Sequence, residues 1–226
     1  MLNDLLNKID RKYNRYAVKN LIIYIIATMC IIYVFNLYTV FNPSIETDLY
    51  SMLTFDRDLI LKGQVWRVIS FIFLPPLAGI SSQSGQTGIF LDAFAVYLCW
   101  MIGVGLETQW GSFKFNVYYL LGIAGSIISG FITGGSMNIY LNLSMFLAFA
   151  IVYPDFELQL LFFLPSKVKI LALFCGIFIV KDLIFGSLSA RAAILFSLLN
   201  VIIFFWKDLL KYAKALGKRR RRRFFR

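Results

Sequence analysis

Ser144 is the first candidate for chemistry, because it places one hydroxyl inside the apolar stretch NIYLNLSMFLAFA at residues 138–150. A serine hydroxyl is a weak nucleophile at neutral pH and needs an adjacent general base. The chain contains no histidine, and Lys167 and Lys181 are predicted at helix ends rather than beside this serine. Ser144 and Ala148 lie one helical turn apart, which is typical of a small-residue contact with Ser144 bonded to the carbonyl at i−4. Packing is therefore the favoured interpretation of Ser144, and catalysis the weaker one.

Asp92 and Asn142 are the other polar side chains set in apolar segments. Asp92 is interpreted as an acid in the first turn of a helix, where the helix dipole favours an anion. The alternative is a polar group facing a cavity within the membrane, a role for which Asn142 is also a candidate. No G-x-G-D motif pairs Asp92 as an aspartyl protease would require. The three cysteines have neither disulfide nor zinc spacing, so no metal and no cofactor are expected; they are Cys30, Cys99 and Cys175.

The composition indicates which elements must position these residues. The chain of 226 residues is 59% hydrophobic and only 15% charged, whereas about a quarter of the residues in a soluble domain are charged. A membrane-spanning helix needs roughly 20 mostly apolar residues. We therefore predict an all-α membrane protein with six transmembrane helices, located at residues 20–43, 90–106, 170–185 and 192–206, with two more inside 115–154, where TGGSMN supplies a turn.

The segments on either side of this membrane domain, residues 20–207, are basic. Residues 1–19 alternate apolar and basic residues at helical spacing, which predicts an amphipathic helix on the membrane surface. Residues 208–226 form a basic tail, in which each cation contributes about 1 kcal/mol near an anionic leaflet. We expect this tail to contact anionic lipids rather than nucleic acid, since no folded domain would direct it to nucleic acid; its six consecutive cations are Lys218, Arg219, Arg220, Arg221, Arg222 and Arg223.

The charge distribution predicts the orientation of the chain in the membrane. With six spans, both termini lie on one side, together with all but five of the 23 lysines and arginines. The positive-inside rule makes that side cytoplasmic. This pattern and the unpaired cysteines suit a bacterial plasma membrane. The five exceptions are Arg57, Lys62, Arg67, Lys181 and Arg191.

The longest loop, residues 42–88, contains WRVISFIFLPPLAGI, which is apolar but too short to cross the bilayer. Trp66 and Arg67 open this segment, and Pro75-Pro76 break it, so we expect a collar that dips into the outer leaflet. Small residues recur every four positions in two spans, which predicts close helix contacts. These rows are Gly122, Ser126, Gly130 and Gly134 in the third span, and Ala95, Cys99 and Gly103 in the second, with Glu107 next in line.

The order of these motifs closely resembles that of the rhomboid family of intramembrane serine proteases and their inactive relatives. The resemblance covers residues 64–206 and is most specific in GVGLETQWGSFKFNVYYLLGIAGS. The motif residues of that family are matched here by Trp66-Arg67, Gly103, Leu106-Glu107, Trp110-Gly111-Ser112 and Lys114-Phe115. The resemblance implies that Trp66, Arg67, Gly103, Glu107, Trp110 and Gly111 are structural.

The resemblance also implies where catalytic residues would stand. Rhomboid proteases use the serine of a G-x-S-G motif and a histidine on the last span. Here the motif is replaced by residues 142–145, NLSM, and the flanking register moves the nucleophile position towards Ile139. The position of the base falls near Ala193 or Ile194, neither of which can accept a proton. The side chains expected to stabilise an oxyanion fall near Leu91 and Ala95, which cannot donate hydrogen bonds.

The function implied by this pattern is that of a rhomboid-like protein without protease activity. Derlins and similar proteins keep the six-helix core without the dyad and bind or help to move other membrane proteins. We therefore expect the chain to bind or scaffold transmembrane segments of other proteins. A divergent intramembrane serine protease is the alternative, and a small transporter the second; few intramembrane polar groups and the lack of an inverted repeat count against the transporter.

Overall fold

A computed structural model describes residues 14–42, 49–78, 86–136, 138–160, 164–188 and 190–206. Most of the predicted amphipathic surface helix and the whole basic tail, including residues 218–223, lie outside these ranges. Of the predicted surface helix, the structure describes residues 14–19, in which Asn14–Tyr16 form one turn of 3-10 helix. The predictions for the two ends of the chain therefore remain predictions.

Helices dominate the described residues. They are α1 (Leu21–Phe41), α2 (Leu49–Leu53), α3 (Arg57–Leu61), α4 (Arg67–Ser70), α5 (Gln86–Trp110), α6 (Ser112–Thr133), α7 (Ile139–Val152), α8 (Val168–Phe185) and α9 (Ala190–Trp206). A 3-10 turn, Phe71–Phe73, follows α4. Two short antiparallel pairs join β1 (Phe55–Asp56) to β2 (Gly135–Ser136) and β3 (Glu157–Leu160) to β4 (Leu164–Lys167).

Three of these helices, α1, α5 and α6, are long and apolar enough to cross a membrane, and α7 and α9 are shorter apolar helices. This confirms the prediction of a helical membrane protein. The predicted turn between two helices in residues 115–154 is also confirmed, since α6 ends at Thr133 and α7 begins at Ile139. The 14 residues of α7 extend about 21 Å, which is less than the roughly 30 Å of hydrocarbon in a bilayer.

The core is arranged around α7, which packs against α5, α6 and α8. Close approach depends on small residues, as the sequence predicted. A Cβ atom added to Gly103 would overlap Ile22 of α1, and one added to Gly122 would overlap Leu141 of α7. The predicted row on α5 is buried along its length. One member of the row on α6 was assigned wrongly: Gly134 follows the last residue of α6 and ends the helix with a φ of +95°, and a Cβ atom there would meet no atom within 4 Å.

Candidate functional site

The collar (residues 49–78) is held by Trp66, Arg67 and Ser70, whose side chains cap the end of α2. The last carbonyls of a helix have no partner within the helix and must find donors elsewhere. Here the carbonyls of residues 51–54 all receive side-chain hydrogen bonds from this one short segment. Arg67 Nη1 donates to Ser51 at 2.7 Å and to Thr54 at 2.8 Å, Trp66 Nε1 to Met52 at 3.4 Å, and Ser70 Oγ to Leu53 at 2.8 Å.

Arg67 is the centre of this arrangement and is only 6% exposed. Its Nε also donates to Gln64 Oε1 at 2.6 Å, so its three acceptors are neutral oxygens. A planar guanidinium can serve several acceptors at once, which a lysine ammonium on a flexible chain cannot do in the same geometry. Trp66 is 53% exposed, which suits an interfacial aromatic residue.

Glu107 ties the start of α1 to the turn between α5 and α6. Its Oε1 accepts hydrogen bonds from the backbone N–H of Asn20 and from Ser112 Oγ, both at 2.7 Å. The carboxylate is 7% exposed, and hydrogen bonds to charged groups contribute about 1.5–3 kcal/mol each. Nearby, Asn116 Nδ2 donates to the carbonyl of Val18 at 3.1 Å, which fixes the same segment to α6.

Trp110 and Gly111 form the turn itself. Gly111 has a φ of +83° and a Cβ there would meet no atom within 4 Å, so the requirement for glycine is one of backbone conformation. The indole of Trp110 lies 5.3 Å from the ring of Tyr118 and stacks on Phe204 at 5.9 Å between centroids. The turn motif therefore joins α5, α6 and the end of α9.

Asp92 occupies a different environment from the one predicted. Because α5 begins at Gln86, Asp92 lies in the second turn rather than the first, and it is 1% exposed. Tyr50 of the collar donates a hydrogen bond to Asp92 Oδ2 at 2.9 Å. Burial and then the charge of Asp92 raise the pKa of Tyr50, so its hydroxyl remains a donor. Asp92 thus attaches the collar to α5.

Ser144 is completely buried. Its Oγ donates to the carbonyl of Leu141 at 2.7 Å, so the hydroxyl bonds at i−3 rather than at the predicted i−4. Ala148, one turn further along α7, is also fully buried. The phenol of Tyr118 lies close to Ser144, and a phenol is a poor base at neutral pH. The geometry matches the packing interpretation of this serine.

An apolar cavity of about 390 Å³, here called the lateral groove, lies between α5 and α8 with α7 as its floor. Asn142 lines this groove, whereas Asp92, the other candidate for a polar group at a cavity, lines neither this groove nor the pocket described next. Asn142 Oδ1 accepts from Cys99 Sγ at 3.1 Å, and its Nδ2 donates to the carbonyl of Asn138 at 2.9 Å. The other lining residues are Pro76, Leu77, Phe94, Ala95, Leu98, Ile102, Ile139, Leu143, Met145, Phe146, Leu158, Leu171, Phe174, Cys175 and Phe178.

A second cavity of about 370 Å³, the hydroxyl pocket, lies beside the first turns of α7 and α9 and is lined by Thr54, Phe55, Gly135, Ser136, Tyr140, Ser187, Ala190 and Ala193. The positions that the resemblance assigns to the catalytic dyad do not face one another across either cavity. Ile139 lines the lateral groove, Ala193 lines the hydroxyl pocket, and Ile194 is buried. Of the positions assigned to the oxyanion side, Ala95 lines the groove and Leu91 is exposed.

Some residues that organise this region carry no signal in the sequence. Tyr50 meets Asp92 across 42 positions of the chain. Asn138 Nδ2 donates to the carbonyls of Ile72 and Leu74, which attaches the collar to the start of α7. Both contacts join residues that are far apart in the chain. Within the described ranges, no three histidine, cysteine, aspartate or glutamate side chains come together as a metal site would require.

Comparison of the chain with protein-family models, with curated proteins and with solved structures finds no match. The resemblance to rhomboids therefore rests on the motif residues themselves.

We expect Arg67→Lys to destabilise the collar by about 2 kcal/mol, because one ammonium cannot replace the guanidinium at three acceptors. Arg57→Lys is the matched control, since Arg57 belongs to the same collar and its side chain is 39% exposed and paired with the exposed Asp58; it should change stability by less than about 0.5 kcal/mol. Thermal unfolding in detergent measures both. Equal effects of the two variants would contradict the capping role.

Glu107→Ala should cost about 3 kcal/mol, because it removes both hydrogen bonds and leaves two donors unpaired. Glu107→Gln keeps an oxygen at the same position and should cost about 1 kcal/mol. Glu157→Ala, at an exposed position, serves as the control and should be within about 0.5 kcal/mol of the unsubstituted chain. The same unfolding assay ranks the three variants. A Glu107→Ala variant that is as stable as the unsubstituted chain would contradict the role of Glu107 in linking α1 to the turn between α5 and α6.

Proposed function

We propose that this chain is a rhomboid-like membrane protein without protease activity, and that it binds transmembrane segments of other membrane proteins in the lateral groove. In this proposal α1 and α5–α9 are its six spans. The observation that carries the proposal is an apolar groove, floored by a short helix, whose two walls are not packed against one another. The ordered set of motif residues and the lack of any histidine support the assignment to the inactive branch.

The two walls of the groove are packed to different extents: α5 lies in the core, whereas α8 is largely exposed. Both α5 and α8 pack against α7, but they have few contacts with each other. Two apolar side chains of α8 are buried, Val168 and Ile179, whereas Phe174 and Phe178 line the groove and are 57% and 60% exposed. In a bilayer these side chains contact lipid. A helix arriving from the lipid can therefore replace lipid against α8 without unfolding the core.

The chemistry of the groove favours a transmembrane segment over a soluble ligand. Its lining is almost entirely apolar, and Asn142 is the polar side chain at its floor. One amide hydrogen of Asn142 is used by Asn138, which leaves the second for a client. A hydrogen bond between transmembrane helices typically contributes about 0.6–2 kcal/mol. The short α7 also favours local bilayer thinning, which lowers the cost of admitting a segment that carries a polar group.

Proteolysis is disfavoured by the surroundings of Ser144. Nucleophilic attack requires a base that removes the hydroxyl proton, whereas this hydroxyl donates to a backbone carbonyl in a fully buried position. Lys181, at the far end of α8, is exposed, and Lys169 pairs with Asp155 at 2.7 Å. Neither lysine lines the groove.

The location that we propose follows from charge. Placing both termini in the cytoplasm of a bacterial plasma membrane gives the basic segments an anionic lipid surface. The collar would then lie at the opposite leaflet, where its exposed apolar side chains contact lipid. These side chains include Leu61, Val65 and Ile69, which are 74%, 66% and 61% exposed.

We expect no covalent labelling of Ser144 by a fluorophosphonate probe, because no base activates the hydroxyl. Labelling is measured by mass spectrometry on the full chain in liposomes, beside an active serine hydrolase as positive control. Labelling that disappears in Ser144→Ala would overturn the inactive assignment and favour the divergent protease.

Photo-cross-linking tests client binding directly. Benzoylphenylalanine is placed at Phe174 or Phe178, which line the groove, and at Leu173 or Ile177, which have similar exposure on α8 but do not line it. The probe is a co-expressed single-span protein with an asparagine at mid-span, compared with an all-leucine span. We expect several-fold more cross-linking from the groove positions, and more for the asparagine span. Equal cross-linking from all four positions would contradict the proposal.

A further inference from the structure

We propose that Asn142 selects the clients of the lateral groove by offering them a hydrogen-bond donor. The preferred client is then a transmembrane segment that carries a neutral hydrogen-bond acceptor near the middle of its span. This inference rests on the proposed function, because it names which membrane segments the groove binds best. The proposed function itself requires only an apolar groove that admits a helix.

The amide of Asn142 is held in one orientation by two neighbours. Its Nδ2 donates to the backbone carbonyl of Asn138 at 2.9 Å, and its Oδ1 accepts from Cys99 Sγ at 3.1 Å. A carbonyl oxygen accepts hydrogen bonds and cannot donate them, so turning the amide over would bring two acceptors together at Asn138. The thiol of Cys99 is buried in the core and holds the oxygen end of the amide. The chemistry of these neighbours therefore decides which end of the amide is the donor.

The donor end of Asn142 has capacity left after these two bonds. An amide nitrogen carries two hydrogens, and among the described residues Nδ2 has one acceptor, the carbonyl of Asn138. Asn142 lines the groove and is only partly buried. An amide oxygen that accepts one hydrogen bond is already satisfied, whereas an N–H that faces an apolar client has lost its partner. A client with an acceptor therefore gains a bond that an apolar client cannot form.

Asn142 lies level with the middle of α5, although it belongs to the first turn of α7. Its partner Cys99 is near the midpoint of Gln86–Trp110, the longest of the described helices. The short α7 thus begins well inside the depth that α5 crosses. A client that lies in the groove beside α5 meets Asn142 near the centre of its own span. In lipid, an acceptor at that depth has no solvent to bond with.

The groove favours a neutral acceptor over a charged one. No acid, lysine or arginine of the described residues lines it. A charged client side chain would enter a site without a counter-charge, which is costly within a membrane. Amide, hydroxyl and ketone oxygens carry no such cost. A client side chain that can only donate would gain nothing from the free N–H of Asn142.

Cross-linking of synthetic single-span peptides to the full chain in liposomes tests this selection. Two matched pairs of peptides differ at one heavy atom at mid-span. One pair compares 4-acetylphenylalanine, an acceptor, with 4-isopropylphenylalanine, and the other compares tryptophan, a donor, with benzothienylalanine. Each peptide carries photoleucine one turn away. Mass spectrometry then shows whether the label falls on Phe178, which lines the groove, or on Ile177, which does not; both are 60% exposed.

We expect the ketone peptide to label Phe178 about threefold or more above its apolar isostere, as one hydrogen bond within a membrane would give. The two peptides of the donor pair should label Phe178 equally. In Asn142→Leu the difference between the ketone and its isostere should disappear.

Asn142→Thr should reverse the selection. Thr28 and Thr108 of this chain each donate to the backbone carbonyl four residues earlier. A threonine at the position of Asn142 would donate its one hydrogen to the carbonyl of Asn138 in the same way, which leaves the groove an acceptor in place of a donor. We expect the ketone preference to disappear and tryptophan to label Phe178 more than benzothienylalanine does.

The outcomes separate this inference from the proposed function. Stronger labelling of Phe178 than of Ile177, but with equal yields for the ketone and its isostere, would overturn the selection by Asn142 and leave the groove as the client site. A preference for tryptophan in the unsubstituted chain, or a ketone preference that persists in Asn142→Leu, would do the same. Equal labelling of Phe178 and Ile177 by every peptide would overturn the proposed function and this inference with it.

Discussion

The fold depends on side chains that form hydrogen bonds with backbone N–H and C=O groups that water cannot reach. Within a bilayer, every polar backbone atom must be satisfied by the protein. A few long side chains meet this requirement at two irregular junctions among the described residues. In the collar, Trp66, Arg67 and Ser70 cap four consecutive carbonyls. Between α1 and α6, Glu107 takes the backbone donor that precedes α1. Trp66, Arg67, Ser70 and Glu107 thus hold irregular segments of the chain in place through hydrogen bonds.

Small residues then decide which helices pack closely and which do not. Gly103 allows α1 to pack closely on α5, and Gly122 allows α7 to pack closely on α6. On α8, Gly176 has no neighbour within 4 Å of a Cβ position, and most of the apolar side chains of this helix are exposed. Tight packing of one side of α7 and loose packing of the other produce the lateral groove. The groove that we propose as a binding site thus results from unequal helix contacts.

The lateral groove differs from the rest of the interior in its chemistry, since no acid, lysine or arginine of the described residues lines it. Its polar side chains are the amide of Asn142 and the thiols of Cys99 and Cys175, which can form hydrogen bonds with a partner. Asn142 lines the groove, whereas Ser144 of the same helix is fully buried and does not line it.

The sequence alone determined the features that depend on local composition: apolar helices long enough for a membrane, a break between α6 and α7, and small residues at close helix contacts on α5 and α6. It assigned Asp92 to the first turn of its helix instead of the second, because α5 begins among the polar residues that precede residue 90. Only the tertiary structure decided that Arg67 would cap α2, that Tyr50 would meet Asp92, and that Asn138 would hold the collar. These pairs lie 13 to 66 positions apart, and hydropathy and spacing carry no information about which distant surfaces will pack together.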